Sequence, residues 1–358
     1  MNFELLPHFL TNIGPWILIG TIVGIIVGAI PGLTGAMAIA LTVPLTYGME
    51  PSAALALLVS MYVGSVSGGL ITATLLKIPG TPASVVTTLD AHPMAMGARP
   101  RRALALGVMS SLIGGVAAWF VLVALSRPIS EVASALHPFD IFSLVMVSLV
   151  LVAVISKGNM LAGLLSAALG MLCALPRLNP ATGEPRLTFG APALSDGLEL
   201  LPVLIGLFAV SEVVRLTVTK PNAESTTVKL GGKTPTWANW KRQITNLIRS
   251  SMIGSFVGVL PGIGANIGSL LSYGAAKTTA YDREDFGKGA DSGVVASEAA
   301  NNATVGGALV PLIALGIPGS VIDAILLGAL MIHGLQPGPW LFEKSPEVVS
   351  TITWSYLL

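Results

Sequence analysis

Apolar runs of near membrane-spanning length dominate the chain, and several of them are cut by a Pro-Gly pair. Residues 12–30 form the first run, with Gly24 and Gly28 at the four-residue spacing that lets a second membrane helix approach closely. Pro31-Gly32 ends it, because proline lacks the N–H that the helix ladder needs and glycine supplies backbone angles other residues resist. The small-residue run 33–44 then reads as a half-length helix. Its open N–H groups form a partly positive end suited to an anion. The next run, 52–76, carries Tyr62, Gly64, Ser65, Ser67, Gly68 and Gly69 among apolar residues and leads into Lys77-Ile78-Pro79-Gly80-Thr81-Pro82. Residues 83–89 are too few to cross a bilayer, so 79–90 reads as a re-entrant segment or a half-helix returning to its own side. Four plain spans follow, at 103–125, 141–155, 160–175 and 200–218. The loops between them are expected to carry Arg127 and Glu131, then Lys157, then Arg177, Glu184, Arg186 and Asp196.

Charge gives these spans an orientation. Arg99, Arg101 and Arg102 mark a cytoplasmic loop, and four crossings later the longest polar stretch brings Lys220, Lys229, Lys233, Lys241, Arg242 and Arg249 to the same side. That places the N-terminus outside. It also divides the chain into a first transmembrane repeat at 1–219, a cytoplasmic polar linker at 220–247, and a second repeat at 248–358. The halves share an ordered pattern. Gly24, Gly28 and Pro31-Gly32 recur as Gly254, Gly258 and Pro261-Gly262 at a separation of 230 (261 − 31), and Ile78-Pro79-Gly80-Thr81 recurs as Ile317-Pro318-Gly319-Ser320 at 239 (318 − 79). If the first unit ends and the second begins in the cytoplasm, the two enter the membrane from opposite sides, as inverted repeats. The last apolar run, 348–358, holds about half the roughly 20 residues of a spanning helix, so the second repeat reads as C-terminally incomplete. The expected class is an all-α polytopic membrane protein with inverted repeats, discontinuous helices and re-entrant segments.

Composition sharpens the class and removes others. Of 358 residues 53% are hydrophobic and only 10% charged, against about 25% charged in soluble domains. A formal charge of +1 and the lack of a basic patch interleaved with aromatics speak against nucleic acid. The single Cys173 excludes a disulfide framework, and His8, His92, His137 and His333 show no metal-ligand spacing. With 40 Gly and 24 Pro recurring as Pro-Gly pairs inside apolar runs, the pattern is that of broken membrane helices. No HExxH, GxSxG or paired-His motif supports an enzyme.

Polar groups inside this apolar chain are the candidate chemistry. Irregular backbone at membrane depth is tolerated only where it is buried in protein or lines a wet cavity, which points to a substrate or ion pathway. Half-helix N-termini can hold a carboxylate, while side-chain oxygens and exposed carbonyls can hold a hard cation such as Na+ at the broken-helix turns. The substrate-binding candidates are therefore Pro31, Gly32, Thr34, Pro79, Gly80, Thr81, Pro261, Gly262, Asn266, Pro318, Gly319 and Ser320, joined by Asn301, Asn302 and Lys77. Simple proline kinking is the plainer reading of the breaks, helix glue that of the two asparagines, and interfacial snorkelling that of Lys77. Glu298, Asp90, Asp323 and Thr304 are the ion-coupling candidates, with Na+ or H+ as the coupling ion and no other cofactor. A wet helix start is the alternative for Glu298, and a loop or helix-end position that for Asp90 and Asp323. Glu212 and Arg215 read as an interface pair, and the charged segment from Lys277 to Lys288 as a solvated loop.

At these residues the chain resembles the large membrane subunit of the bacterial tripartite tricarboxylate transporters. The stretches that carry the resemblance are Gly28 to Leu33, Lys77 to Pro82, Asp90 to Ala95, Leu187 to Gly190, Leu260 to Gly264, Phe286 to Gly289, Glu298 to Ala303 and Leu315 to Ser320. The resemblance implies an inner-membrane, cation-coupled importer of an organic carboxylate, working with a periplasmic substrate-binding protein and a small membrane subunit. It also implies that the Pro-Gly turns and the asparagine pair serve substrate and ions. Members often carry Asn where Lys77 stands, which implies a different anion or charge balance, and they are typically longer. A gated anion channel on the same breaks is the main alternative, and an intramembrane enzyme a further one.

Overall fold

The computed structural model describes residues 11–155, 160–179, 182–199, 202–203, 205–218, 231–260 and 264–358. It is almost entirely helical. In chain order the helices are α1 (Gly14–Gly28), α2 (Gly35–Thr42), α3 (Pro51–Leu76), α4 (Ser84–Met96), α5 (Pro100–Ser134), α6 (Pro138–Ile155), α7 (Met160–Ala174), α8 (Ser211–Val218), α9 (Trp237–Val259), α10 (Gly264–Thr279), α11 (Asp291–Leu315), α12 (Val321–Ile332), α13 (Pro339–Lys344) and α14 (Pro346–Leu357). A two-residue antiparallel pairing of Arg177–Leu178 with Pro185–Arg186 supplies the only strands among the described residues.

Two helices form the centre. α3 packs against α1, α2, α4, α12 and α14, while α11 packs against α5, α9, α10, α4 and α3. Every residue of α11 from Asp291 to Ala314 is buried. The surrounding helices turn apolar side chains outward instead. Leu18, Ile22 and Ile26 of α1 are 62%, 48% and 53% exposed, as are Ile248, Met252 and Phe256 of α9 at 58%, 67% and 70%. Carboxylates and amides lie inside and branched aliphatics outside, which is the arrangement a bilayer imposes and water does not. α3 and α5 are both long and apolar enough to cross a membrane.

Close approach explains which face of α1 and α9 turns inward. A methyl group at Gly24 or Gly28 would overlap the carbonyl oxygens of Met61 and Ser65 on α3; at Gly254 or Gly258 it would overlap those of Ala300 and Thr304 on α11. The glycine stripe is what brings each pair of backbones together. Both contacts repeat at the separations read from the sequence, 230 for the glycines and 239 for their partners (304 − 65). The helix ends match too. α3 closes on Lys77 and α11 on Gly316, both left-handed, with Ile78 N–H donating to the Thr72 carbonyl (3.3 Å) and Ile317 N–H to that of Pro311 (3.2 Å).

Several boundaries differ from the sequence reading. α5 has 35 residues, about 50 Å at 1.5 Å per residue, so it outruns its apolar stretch. Arg127 and Glu131, expected in a loop, form an exposed pair one turn apart within it (3.1 Å). α9 begins at Trp237 on a capping box of Thr236 and Asn239, so helix runs through the second half of the segment assigned to the polar linker. Its polar positions Gln243 and Asn246 are buried, bonded to each other and to Ser292. α4 continues through Pro93 to Met96. The run expected at 200–218 has a π-helical turn, Ile205–Val210, before α8. Lys157 and Lys220 to Lys229 lie outside the described residues, as does Leu200 at the start of that run.

Candidate functional site

The turns after α1, after α3 and after α11 are built alike. Between Gly28 and Gly35 the chain turns through Pro31 and Gly32, whose φ is 88°, and re-enters helix with the Thr34 hydroxyl accepting from Met37 N–H (3.2 Å). After α3, Gly80 is buried against the Gly28 carbonyl and Gly69, and Thr81 Oγ1 accepts from Ser84 N–H (3.3 Å). After α11, Gly319 is packed on Gly258 and Ala308, and Ser320 Oγ accepts from Asp323 N–H (3.2 Å). Hydroxyl caps thus take one of the open N–H groups at each helix start. Pro79 is exposed and Pro318 half-buried. Asn266 lies half-buried in the first turn of α10; Pro261 and Gly262, which precede it, are outside the described residues.

These turns are drawn together through the central helices. Gly35 at the start of α2 faces Ser65 of α3 and Ile322 in the first turn of α12, so α2 and α12 meet near their starts. Tyr62 of α3 places its hydroxyl 3.3 Å from Ser320 Oγ. α4 and α10 likewise pack on one another. Asp323 is fully buried beside the Ser320 cap, with neither oxygen in hydrogen-bond geometry. At the separation of 239, Asn301 of α11 holds the position that Tyr62 holds on α3.

Inside α11 the polar residues have unlike surroundings. Glu298 is fully buried, with Thr87 of α4 donating to one carboxylate oxygen and Ser111 of α5 to the other (3.0 Å). Asn301 lies beside it, and both of its amide atoms are short of hydrogen-bond geometry. Asn302 is engaged: Ser67 of α3 donates to its Oδ1 (3.1 Å), its Nδ2 donates to the Glu298 carbonyl (3.3 Å), and Tyr356 donates to its own carbonyl (3.0 Å). Thr304 donates to the Ala300 carbonyl (2.7 Å) within its own helix. Thr87 and Ser111 had no mark in the sequence, since a hydroxyl in an apolar helix is ordinary until its neighbour across the bundle is known.

Asp90 and Lys77 stand apart from this set. Asp90 Oδ1 accepts from the N–H groups of Gly287 (2.8 Å), Gly289 (2.9 Å) and Ala290 (2.9 Å), and its Oδ2 from the Tyr273 hydroxyl (2.8 Å). It ties α4 to the segment leading into α11. Lys77 is exposed, with φ of 56°. The same end of the bundle carries charge: Arg102 grips Asp291 with two donors, and Arg242 lies over the Tyr281 ring, 5.7 Å from its centroid. Burial, then Asp291 and Asp282, push the Tyr281 pKa above its ordinary value. Among the described residues no three His, Cys, Asp or Glu side chains converge as metal ligands.

An outward apolar belt around a buried polar centre defines a polytopic all-α membrane protein. The profile of the Tripartite tricarboxylate transporter TctA family matches residues 15–358, and the chain belongs to that family. It is 31% identical over 333 residues to the "uncharacterized 52.8 kDa protein in TAR-I ttuC' 3'region" of Agrobacterium vitis, covering 93% of this chain and 66% of that one. It is also 40% identical over 95 residues, 26% of this chain and 39% of the other, to the "uncharacterized protein in TAR-II ttuC' 3'region" of the same organism. The chain thus spans just under two thirds of the longer match. No solved structure matches it.

Proposed function

We propose that this chain is the membrane subunit of a cation-coupled importer of organic carboxylates. It works in the bacterial inner membrane, takes its substrate from a periplasmic binding protein and is joined by a small membrane subunit. Family membership supports the transport class and the tripartite organisation. The observation that carries the substrate reading is the adjoining pair of hydroxyl-capped helix starts at Thr34 and Ser320, with Tyr62 reaching the second of them. Two helix N-termini in the same neighbourhood favour an anion. The turns at Pro31, Pro79 and Pro318, with Thr81 and Asn266, complete the proposed cradle, and the exposed Lys77 before the Pro79 turn is the candidate positive charge that draws the anion in.

Alternating access follows from the repeat. Two units related by inversion present the same cradle to opposite sides, and rocking or sliding one set of helices against the α5 side exchanges its exposure. The test is uptake of a labelled di- or tricarboxylate into proteoliposomes holding the full-length chain with its partner subunits, under an imposed Na+ or pH gradient. Accumulation above the external concentration is expected. Flux that only equilibrates is channel behaviour and overturns the reading.

A further inference from the structure

Four side chains from three helices meet around Glu298 of α11: Thr87 of α4, Ser111 of α5, and Ser297 and Asn301 of α11, none more than 6% exposed. Among the described residues no Lys, Arg or His pairs with the carboxylate. A buried ionised group without a counter-charge is strongly disfavoured, and inside a membrane segment it marks a functional position. Asn301 adds a second, independent observation. It is fully buried with its side chain against the Glu298 carboxylate, yet neither its amide oxygen nor its nitrogen reaches full hydrogen-bond geometry. Buried amides are nearly always paired, so this one is placed for a ligand that the surrounding side chains do not supply.

Resting on the importer reading, we infer that Glu298, Thr87, Ser111 and Asn301 form the binding site of one dehydrated Na+ ion, the ion whose gradient drives uptake. The donor set matches that charge and hardness. One carboxylate neutralises a single positive charge, and every other donor is a neutral oxygen, the ligand type hard cations take. The Thr87 and Ser111 hydroxyls can rotate, presenting lone pairs to a cation where they now donate to the acid. A proton satisfies one carboxylate oxygen and leaves the Asn301 carbonyl unpaired. A divalent ion leaves an uncompensated charge in an apolar interior. Because the ligands come from α4, α5 and α11, the ion is held only while these helices are docked, and a ligand that binds one arrangement selectively shifts the population toward it. That links ion binding to movement of the bundle.

The test uses the purified full-length chain without any carboxylate, measuring its unfolding temperature and its binding of radiolabelled Na+, with choline replacing Na+ at constant ionic strength. Wild type is expected to be stabilised by Na+ and not by choline, and Glu298→Gln to lose both the stabilisation and the binding. Should Glu298→Gln fail to fold, Ser111→Ala and Asn301→Ala keep the charge and carry the test; each is expected to raise the half-saturating Na+ by about tenfold or more, the usual scale for loss of a metal-site partner. Unchanged Na+ affinity in both alanine variants overturns the site. So does a wild type indifferent to Na+ whose uptake follows a pH gradient and is lost in Glu298→Gln, since that is a proton site. Carboxylate uptake with an undiminished Na+ response in Glu298→Gln removes the ion site and leaves the importer; Na+ binding at Glu298 in a chain that moves no carboxylate removes the importer and leaves the ion site.

Discussion

Gly258 of α9 lies directly against the backbone carbonyl of Thr304 on α11, and the same contact joins Gly28 to Ser65 in the first half of the chain. Each glycine sits at the C-terminal end of its helix, and Gly80 and Gly319 of the turns that follow the partner helices rest on the same two residues. A larger side chain at Gly28 or Gly258 therefore pushes apart a helix pair and the turn stacked on it. Gly28→Val and Gly258→Val are each expected to destabilise by about 1–3 kcal/mol or more, the usual penalty of overpacking, read as a lower unfolding temperature in detergent. Leu18→Val and Met252→Leu, on the outward faces of the same helices, serve as controls and are expected to change little. Equal effects at all four positions would contradict the stripe as the packing determinant.

Asp90 is expected to matter for folding more than for ion coupling. Its carboxylate takes three backbone N–H groups from the segment before α11 and the Tyr273 hydroxyl from α10. Asp90→Ala leaves those donors buried and unmet, at about 1–3 kcal/mol for each orphaned group. Asp90→Asn keeps one acceptor oxygen, and a smaller loss is expected. Unfolding measurements should rank wild type above Asn above Ala. An Asp90→Asn protein of unchanged stability whose uptake no longer responds to the cation gradient would return Asp90 to the coupling site.

Lys77 can be separated into a backbone and a charge. It closes α3 in the left-handed region, at φ of 56°, where its counterpart on α11 is Gly316 at 69°. Glycine adopts that conformation without the roughly 1–2 kcal/mol that a side chain adds. Lys77→Gly is thus expected to hold or raise stability, and to lower carboxylate affinity if the exposed ammonium draws the anion in. The comparison with Lys77→Ala isolates the backbone, since both variants lose the charge and only alanine keeps the strain; a loss of affinity common to both is the charge. A stabilised Lys77→Gly with unaltered uptake assigns the lysine to the interface.

Periodicity made much of this architecture legible. The separations of 230 and 239 came from Gly and Pro positions alone, and the paired contacts at Gly28 and Gly258 fall on them. The Pro-Gly pairs at Pro31, Pro79 and Pro318 fall between described helices because both residues act locally, through a missing N–H and a permitted backbone angle. Element ends were less visible. α5 runs on through Arg127 and Glu131, since an exposed ion pair one turn apart suits a helix as well as a loop. The surroundings of each polar residue were not legible at all. Asp90, Glu298 and Asp323 look alike as acids in apolar sequence, yet one has four donors, one has two hydroxyls and one has carboxylate oxygens short of hydrogen-bond geometry beside Ser320. That difference is made by residues 180 or more positions away, such as Thr87 for Glu298 and Tyr273 for Asp90.

Asn301 and Asn302 give the sharpest test, because adjacent and identical side chains meet opposite surroundings. Asn302 joins the two central helices through Ser67 and returns a bond to the Glu298 carbonyl, whereas Asn301 is bonded to neither helix. Removing a paired buried amide strands its partners, while removing an unpaired one relieves a desolvated group. Asn302→Ala is therefore expected to lower stability by about 1–3 kcal/mol. Asn301→Ala should leave stability in cation-free buffer unchanged or improved, yet reduce uptake. Thermal unfolding and proteoliposome uptake on the same two preparations make the comparison. If both variants lose stability alike and transport in proportion to the folded fraction, Asn301 is helix glue like its neighbour; if Asn301→Ala stays folded and stops transporting, its unpaired amide belongs to the transport site.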